Sequence, residues 1–180
     1  MIYKAKEGST AYRYIKDVVD AEQKEKSEYF KRVEEAVGFK VERYSGYQPN
    51  SCLSRKYEIT ALLVSDEQYE KMNHKVWKLK DRVKGFNQIV PNKRCKEGKR
   101  FSEVFLSFKH LKSFWQIHDD LGIPLSESNR FAATQLLFDG IHYFIYIDDS
   151  VSADKYNAGL EEITMRQYED YVNESNNNKK

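Results

Sequence analysis

The sequence has little cysteine, proline and glycine, and it has no long apolar segment. Its 180 residues include two cysteines, three prolines and eight glycines. Because Cys52 and Cys95 lie in no CxxC pair, they indicate neither a disulfide framework nor a zinc site, and we expect reduced thiols. The N-terminus lacks the apolar core of a signal peptide, and apolar runs such as 141–147 fall far short of the roughly 20 residues that span a membrane. We therefore expect a soluble cytoplasmic protein with no membrane association.

The motifs of several common enzyme classes are also missing. The sequence contains no Walker loop, no GxGxxG and no GxSxG, so nucleotide hydrolysis, dinucleotide binding and nucleophile-elbow hydrolysis have no support. His118-Asp119-Asp120 is similar to the His-Asp pair with which HD-type phosphohydrolases hold metal. Those enzymes are all-helical, whereas strand patterns interrupt this chain. We therefore name no catalytic residue, metal site or cofactor, and a metal-dependent phosphohydrolase is the third of three functional hypotheses.

What is present is the composition of a globular protein. Hydrophobic residues make up 40% of the chain and charged residues 32%, which is typical of a folded core with a well-charged surface. We predict a single domain over residues 1–175, followed by a frayed polar tail at 176–180. Lysine, asparagine, isoleucine and aromatic residues are frequent, and their AT-rich codons favour a low-GC bacterium or its phage as the source.

Periodicity and capping signals predict three or four helices. The segments with helical spacing are 10–37, 66–83, 102–121 and 165–174. Ser9 or Thr10 is placed to cap the first helix, and Gly38 is placed to end it. Ser65 and Thr164 each begin a capping box, because a glutamine follows three residues later.

Strand signals surround these helices. Alternating or apolar runs occur at 39–44, 56–64 and 86–90, with loops predicted at 45–55 and 92–100. The strongest signal is Asp139-Gly140 between two apolar runs, a pair that predicts a β-hairpin with a two-residue type I′ turn and Phe138 opposite Ile141. We therefore predict an α+β fold, in which a small, mainly antiparallel sheet ends in this hairpin and is packed by the helices.

The predicted hairpin has two unlike faces. Phe138 and its neighbours at every second position form a face suited to the core. The other face carries His142, Phe144 and Tyr146 and is too apolar to be left bare. A covering helix is the favoured interpretation. The alternative is a binding face for a small aromatic or nucleotide-like ligand, which is our second functional hypothesis.

The most informative feature is the distribution of charge. Residues 71–100 hold eleven Lys or Arg against Asp81 and Glu97, so the segment carries 11 − 2 = +9. Residues 119–180 hold twelve acidic against five basic residues, or 5 − 12 = −7. A nearly neutral total therefore conceals two opposed blocks. We call residues 71–100 the basic segment.

A basic stripe beside an aromatic residue suits either the phosphates and bases of a nucleic acid or an acidic protein surface. The candidate partner-binding residues of the basic segment are Lys71, Lys75, Lys78, Arg82, Lys93, Arg94, Lys99 and Arg100, with Trp77 beside them. A solvated helix face, or a block that meets the chain's own acidic C-terminal third, would produce the same pattern.

By elimination, the first functional hypothesis is a non-enzymatic binding protein, of the kind that serves a phage or mobile element as an accessory or inhibitor. Its partner would be a protein or a nucleic acid, bound through the basic segment. The sequence leaves the partner's identity and the oligomeric state open.

Overall fold

A computed structural model describes residues 1–41, 57–75, 89–96, 99–125, 134–148 and 151–178. In chain order, the strands and helices are β1 (Ile2–Ala5), α1 (Thr10–Val37), β2 (Tyr57–Ser65), α2 (Asp66–Lys75), β3 (Ile89–Lys96), β4 (Lys99–Lys109), α3 (Phe114–Leu121), β5 (Thr134–Phe138), β6 (Tyr143–Ile147), β7 (Leu160–Ile163) and α4 (Met165–Asn177). A 3₁₀ turn, Ala153–Lys155, precedes β7. The fold is α+β, as predicted, and its strands form two antiparallel sheets.

The chain divides into two compact units. The first consists mainly of Met1–Glu22 and Leu111–Lys180, and the second mainly of Gln23–Asn50 and Tyr57–His110. The boundary falls within α1, so one continuous helix contributes residues to both units. A single domain over 1–175 stays a prediction. α4 extends to Asn177, so the first two residues of the predicted polar tail, 176–180, are helical.

The first unit is built on a four-stranded sheet in the order β5-β6-β1-β7. On one face, Tyr3, Ile145 and Leu160 join residues of α1 and α3, such as Ile15 and Ile117, in a single buried cluster. The opposite face has a smaller cluster of Ile2, Phe144 and Ile163, against which Tyr168 and Tyr171 of α4 pack. Successive strand residues alternate between faces, which explains why neighbours in one strand belong to different clusters.

The hairpin that we predicted around Asp139-Gly140 is confirmed, but its turn is longer. Phe138 pairs with Tyr143, not with Ile141, so four residues connect β5 and β6. The Asp139 carboxylate stabilises this turn through both of its oxygens. Oδ1 accepts hydrogen bonds from the amides of Ile141 and His142 at 2.7 Å each, and Oδ2 lies 3.0 Å from His142 Nδ1. Gly140 has a φ of +111°. The difference from the predicted register is two residues, and an even shift leaves every side chain on its predicted face.

The second unit contains a three-stranded antiparallel sheet in the order β2-β4-β3. Its buried cluster joins α1, α2 and this sheet through Tyr29, Phe30, Val33, Val37, Met72, Leu62, Val64, Leu106 and Phe108. Two predictions fail here. The loop at 92–100 is strand over most of its length, and the helix at 102–121 is β4 up to Lys109 and helical only in α3.

The capping signals in the sequence correctly predicted the ends of several helices. Ser9 Oγ accepts from the amide of Tyr12 at 3.0 Å, and Gly38 ends α1 with a φ of +80°. The capping boxes at Ser65 and Thr164 are both formed. The strand predicted at 39–44 is absent over 39–41, and its remaining residues lie outside the described ranges.

Candidate functional site

The helical part of the basic segment is described only at its beginning. Lys71 lies on α2, and its Nζ lies 2.7 Å from Oε1 of Glu67 in an exposed ion pair. The hydrogen bond from Lys71 lowers the pKa of Glu67. Lys75 is the last residue of α2. The predicted residues Lys78, Arg82 and Trp77 lie outside the described residues.

The remaining basic candidates come together on two paired strands. Lys93 and Arg94 belong to β3, whereas Lys99 and Arg100 belong to β4. The backbone register places Arg94 opposite Phe101, Cys95 opposite Arg100, and Lys96 opposite Lys99. Five of the eight residues from 93 to 100 are basic, and Glu97 is the one acid. The structure therefore concentrates this part of the basic segment at the end of one β-ribbon, which we call the basic ribbon (residues 93–96 and 99–100).

The basic ribbon extends beyond the third strand of its sheet. β2 ends at Ser65, which pairs with Phe101. Among the described residues, the two pairs past that point, Cys95 with Arg100 and Lys96 with Lys99, have no further strand beside them. Three of these four residues are basic. A register shift between Val90 and Arg94 marks a bulge or other irregularity in β3; bulges are common at sheet edges.

The register also brings two residues of like charge to opposite positions on the paired strands. Like charges directly opposite each other on paired strands are destabilising, by about 0.2–1 kcal/mol for each pair. Lys96 and Lys99 occupy such opposite positions.

The face of the hairpin that we predicted as a possible ligand site is covered by a helix. Phe144 is fully buried, with the rings of Tyr168 and Tyr171 at 5.0 and 5.8 Å from its own. His142 is half-buried and hydrogen-bonded to Asp139, and Tyr146 is half-buried as well. Ligand binding at His142, Phe144 and Tyr146 stays a prediction, but a ligand would reach Phe144 only if α4 moved.

In the His118-Asp119-Asp120 motif, His118 and Asp120 both have hydrogen-bond partners within the fold. His118 is 1% exposed, with Nδ1 3.2 Å from the carbonyl oxygen of Ile123 and Nε2 2.9 Å from Thr134 Oγ1. Asp120 accepts hydrogen bonds from Tyr14 Oη at 2.7 Å and Lys112 Nζ at 3.1 Å, which lower its pKa. Within the described ranges, no three His, Cys, Asp or Glu residues are grouped in a way that would hold a metal ion.

Sequence reasoning missed the residues that β4 contributes to the sheet. The helix predicted over 102–121 concealed the alternation of Phe101, Glu103, Phe105 and Ser107 with their neighbours. That two-residue period was the signal that would have found the strand. Lys109 is exposed, but it ends β4 at the opposite end from the basic ribbon.

Comparison with known proteins gives no assignment. No family model, curated protein or solved structure matches the chain. Among the helices that the structure describes, none is both long enough and apolar enough to cross a bilayer.

Proposed function

We propose that this chain is a non-enzymatic binding protein that engages an anionic partner, a nucleic acid or an acidic protein, through its basic segment. The observation that carries the proposal is the β3–β4 register, which gathers basic residues separated in sequence at one end of a two-stranded ribbon. Origin from a phage or mobile element and location in the cytoplasm remain predictions from composition.

The ribbon has the dimensions of a compact anion-binding surface. Strand residues rise about 3.3 Å each and paired strands lie about 4.8 Å apart, so the basic positions of residues 93–100 fall within roughly 15 Å. Arg94, Lys96 and Lys99 share one face of the ribbon by register, so a partner with several closely spaced negative charges could interact with these three together. Such clusters raise association rates and make affinity dependent on ionic strength.

A matched pair of charge reversals tests the proposal. In Lys96→Glu/Lys99→Glu, two like charges still oppose each other across the ribbon, so the repulsion within the hairpin is retained while its sign is inverted. The control is Lys24→Glu/Lys31→Glu, which makes the same change of −4 in net charge at two exposed positions of α1. Tagged wild-type and variant proteins would be used to capture partners from cells, with and without nuclease treatment.

We expect the ribbon variant to lose its captured partner and the α1 control to retain it. Loss after nuclease treatment identifies a nucleic acid, and resistance to nuclease identifies an acidic protein. Equal capture by wild-type and ribbon variant would show that these charges serve only as a solvated surface, and would overturn the proposal.

A further inference from the structure

The outer side of α3 exposes a large aromatic residue beside an acidic one. The residues that this helix buries are Phe114, Ile117, His118 and Leu121. Trp115 is 51% exposed, and Asp119 is exposed as well. These two residues are one turn apart, so their directions around the helix axis differ by about 40° and their side chains are neighbours. Leu111, three residues before the helix, is 46% exposed. We call Leu111, Trp115 and Asp119 the α3 surface.

The polar groups of the α3 surface are open to an outside partner. None of the described residues pairs with the carboxylate of Asp119 or accepts a hydrogen bond from the indole N–H of Trp115. The next carboxylate, that of Asp120, is by contrast bonded to Tyr14 and Lys112. The ring of Trp115 packs at 4.4 Å on that of Phe114. This contact orients the indole while half of the residue stays exposed.

The first unit already holds two lysines by the pair of groups that the α3 surface presents. Each of these lysines lies between an aspartate and the ring of a tyrosine. The two groups are Lys16 with Asp20 and Tyr143, and Lys112 with Asp120 and Tyr14. The ammonium nitrogens lie 5.5 and 6.0 Å from the ring centroids. The carboxylate attracts the cation by charge and the ring attracts it by its negative face, an interaction that is stronger for tryptophan than for tyrosine. Trp115 and Asp119 therefore offer the same combination with no lysine of the chain between them.

The end of the helix favours a cation at the same place. α3 ends at Leu121, so Asp119 lies in its last turn. The C-terminal turn of a helix carries a partial negative charge, and an acidic side chain there is unfavourable unless a cation accompanies it. Lys112 accompanies Asp120 in this way. Among the described residues, no cation does so for Asp119, and one supplied from outside would balance both the carboxylate and the helix end.

We infer that the α3 surface binds a basic segment of a partner protein. A lysine or arginine of that segment lies against the Trp115 indole and pairs with the Asp119 carboxylate, while an apolar residue beside it packs on Leu111. Charge decides the class of partner, because the phosphates of a nucleic acid would meet a carboxylate and the negative end of a helix. An uncharged apolar partner would give the carboxylate no role. The surface belongs to the first unit and the basic segment to the second, so this inference does not rest on the proposed function.

The test uses the full chain and, as a probe, a synthetic peptide with one arginine next to one leucine among neutral residues. Binding is followed by NMR through the indole N–H of Trp115, assigned from its absence in Trp115→Leu, and through the labelled side chain of the peptide's arginine. We expect both signals to shift and saturate on titration. A peptide with citrulline, which keeps the shape of arginine without its charge, should bind roughly 3- to 30-fold more weakly, the combined loss of an exposed cation–π contact and an exposed ion pair.

Two variants separate the two contacts. Asp119→Asn and Trp115→Leu should each weaken the arginine peptide by about 2- to 5-fold, and Asp119→Asn should leave the citrulline peptide unaffected. The melting temperature of Asp119→Asn should equal or exceed that of the wild-type, since the charge removed opposes the helix dipole. Matched controls are Asp170→Asn, at an exposed acid of α4, and Tyr156→Leu, at a ring that is 56% exposed. Both should bind the arginine peptide as the wild-type does.

Equal binding of the arginine and citrulline peptides, an indole signal that does not shift, or equal weakening by Asp170→Asn would each overturn the inference. A lower melting temperature for Asp119→Asn would show that this carboxylate serves the fold, with the same consequence. Self-association of the wild-type that Trp115→Leu abolishes would identify the occupant as a second copy and overturn the assignment to a partner protein. The proposed function is judged separately, since Lys96→Glu/Lys99→Glu changes residues of the other unit alone.

Discussion

Replacing Asp139 should destabilise the first unit through the turn that it organises. Its side chain is completely buried, and its carboxylate accepts from two backbone amides and from the ring of His142. Hydrogen bonds to a charged group contribute about 1.5–3 kcal/mol each. Ile141 is 49% exposed, so water can replace part of the loss at its amide. The His142 side chain is 30% exposed as well, so water can replace much of two of the three bonds. We therefore expect Asp139→Ala to cost about 2–3 kcal/mol, the value of one such bond, and Asp139→Asn, which keeps one acceptor oxygen, about 1 kcal/mol.

The same carboxylate gives the prediction a pH dependence. Burial raises the pKa of Asp139, but the hydrogen bonds from His142 and Ile141 outweigh it and hold the pKa below its ordinary value. Because the folded pKa is the lower one, the ionised carboxylate contributes its full stability above about pH 4, the pKa of an unfolded Asp. That contribution is lost as the pH falls through the folded pKa.

Urea unfolding of the wild-type and both variants at pH 7 and at pH 3 checks this reasoning. The wild-type should lose its advantage over Asp139→Asn on acidification, while the difference between the two variants should persist, since neither carries a charge there. A cost below about 0.5 kcal/mol for Asp139→Ala, within the range of ordinary surface substitutions, would refute the role assigned to the turn. A wild-type advantage that is unchanged at pH 3 would refute its electrostatic part.

Three further predictions concern stability and can be measured by thermal or urea unfolding. Gly140→Val should cost about 1–3 kcal/mol, since a β-branched residue is strained at a φ of +111°; an unchanged melting temperature would contradict the assigned conformation. His118→Ala should cost about 2–4 kcal/mol, because it leaves the hydroxyl of the buried Thr134 without its partner; a neutral effect would remove the structural role of this histidine. Leu106→Ala should cost about 2–5 kcal/mol and Lys109→Ala less than about 0.5 kcal/mol, the contrast that a strand with one buried face requires; similar costs would count against that strand.

The sequence predicted best the features that depend on a few neighbouring residues. Ser65 and Thr164 cap helices through bonds to residues three positions away, so no knowledge of the rest of the chain was needed. The hairpin at Asp139-Gly140 was also found, although the length of its turn was not. There the carboxylate of Asp139 bonds to the two following amides, and this stabilises a four-residue turn in place of the two-residue one.

The failures are those in which pairing with a distant segment decides the structure. Val104, Phe108 and Leu111 have helical spacing, but the same stretch alternates with a period of two, and short apolar stretches fit both patterns. Pairing with β2 over nine residues resolves the ambiguity in favour of the strand. Since β2 lies more than thirty residues earlier in the chain, local periodicity contained no information about that pairing.

The candidate site was predicted in part, for a related reason. Charge is additive along the sequence, so the +9 of residues 71–100 could be counted without a structure. Which of these residues come together depends on the β3–β4 register, and a loop predicted at 92–100 contains no such pairing.

The measurement closest to the central claim is the salt dependence of oligonucleotide binding by the wild-type and by Lys96→Glu/Lys99→Glu. Each phosphate that a protein neutralises contributes about −0.7 on single strands to the slope of log affinity against log salt concentration. If both lysines contact phosphates, the slope of the variant should be shallower by about 1.4, while Lys24→Glu/Lys31→Glu keeps the wild-type slope. Wild-type and ribbon variant with the same slope would contradict the account, because the charges of the basic ribbon would then take no part in binding.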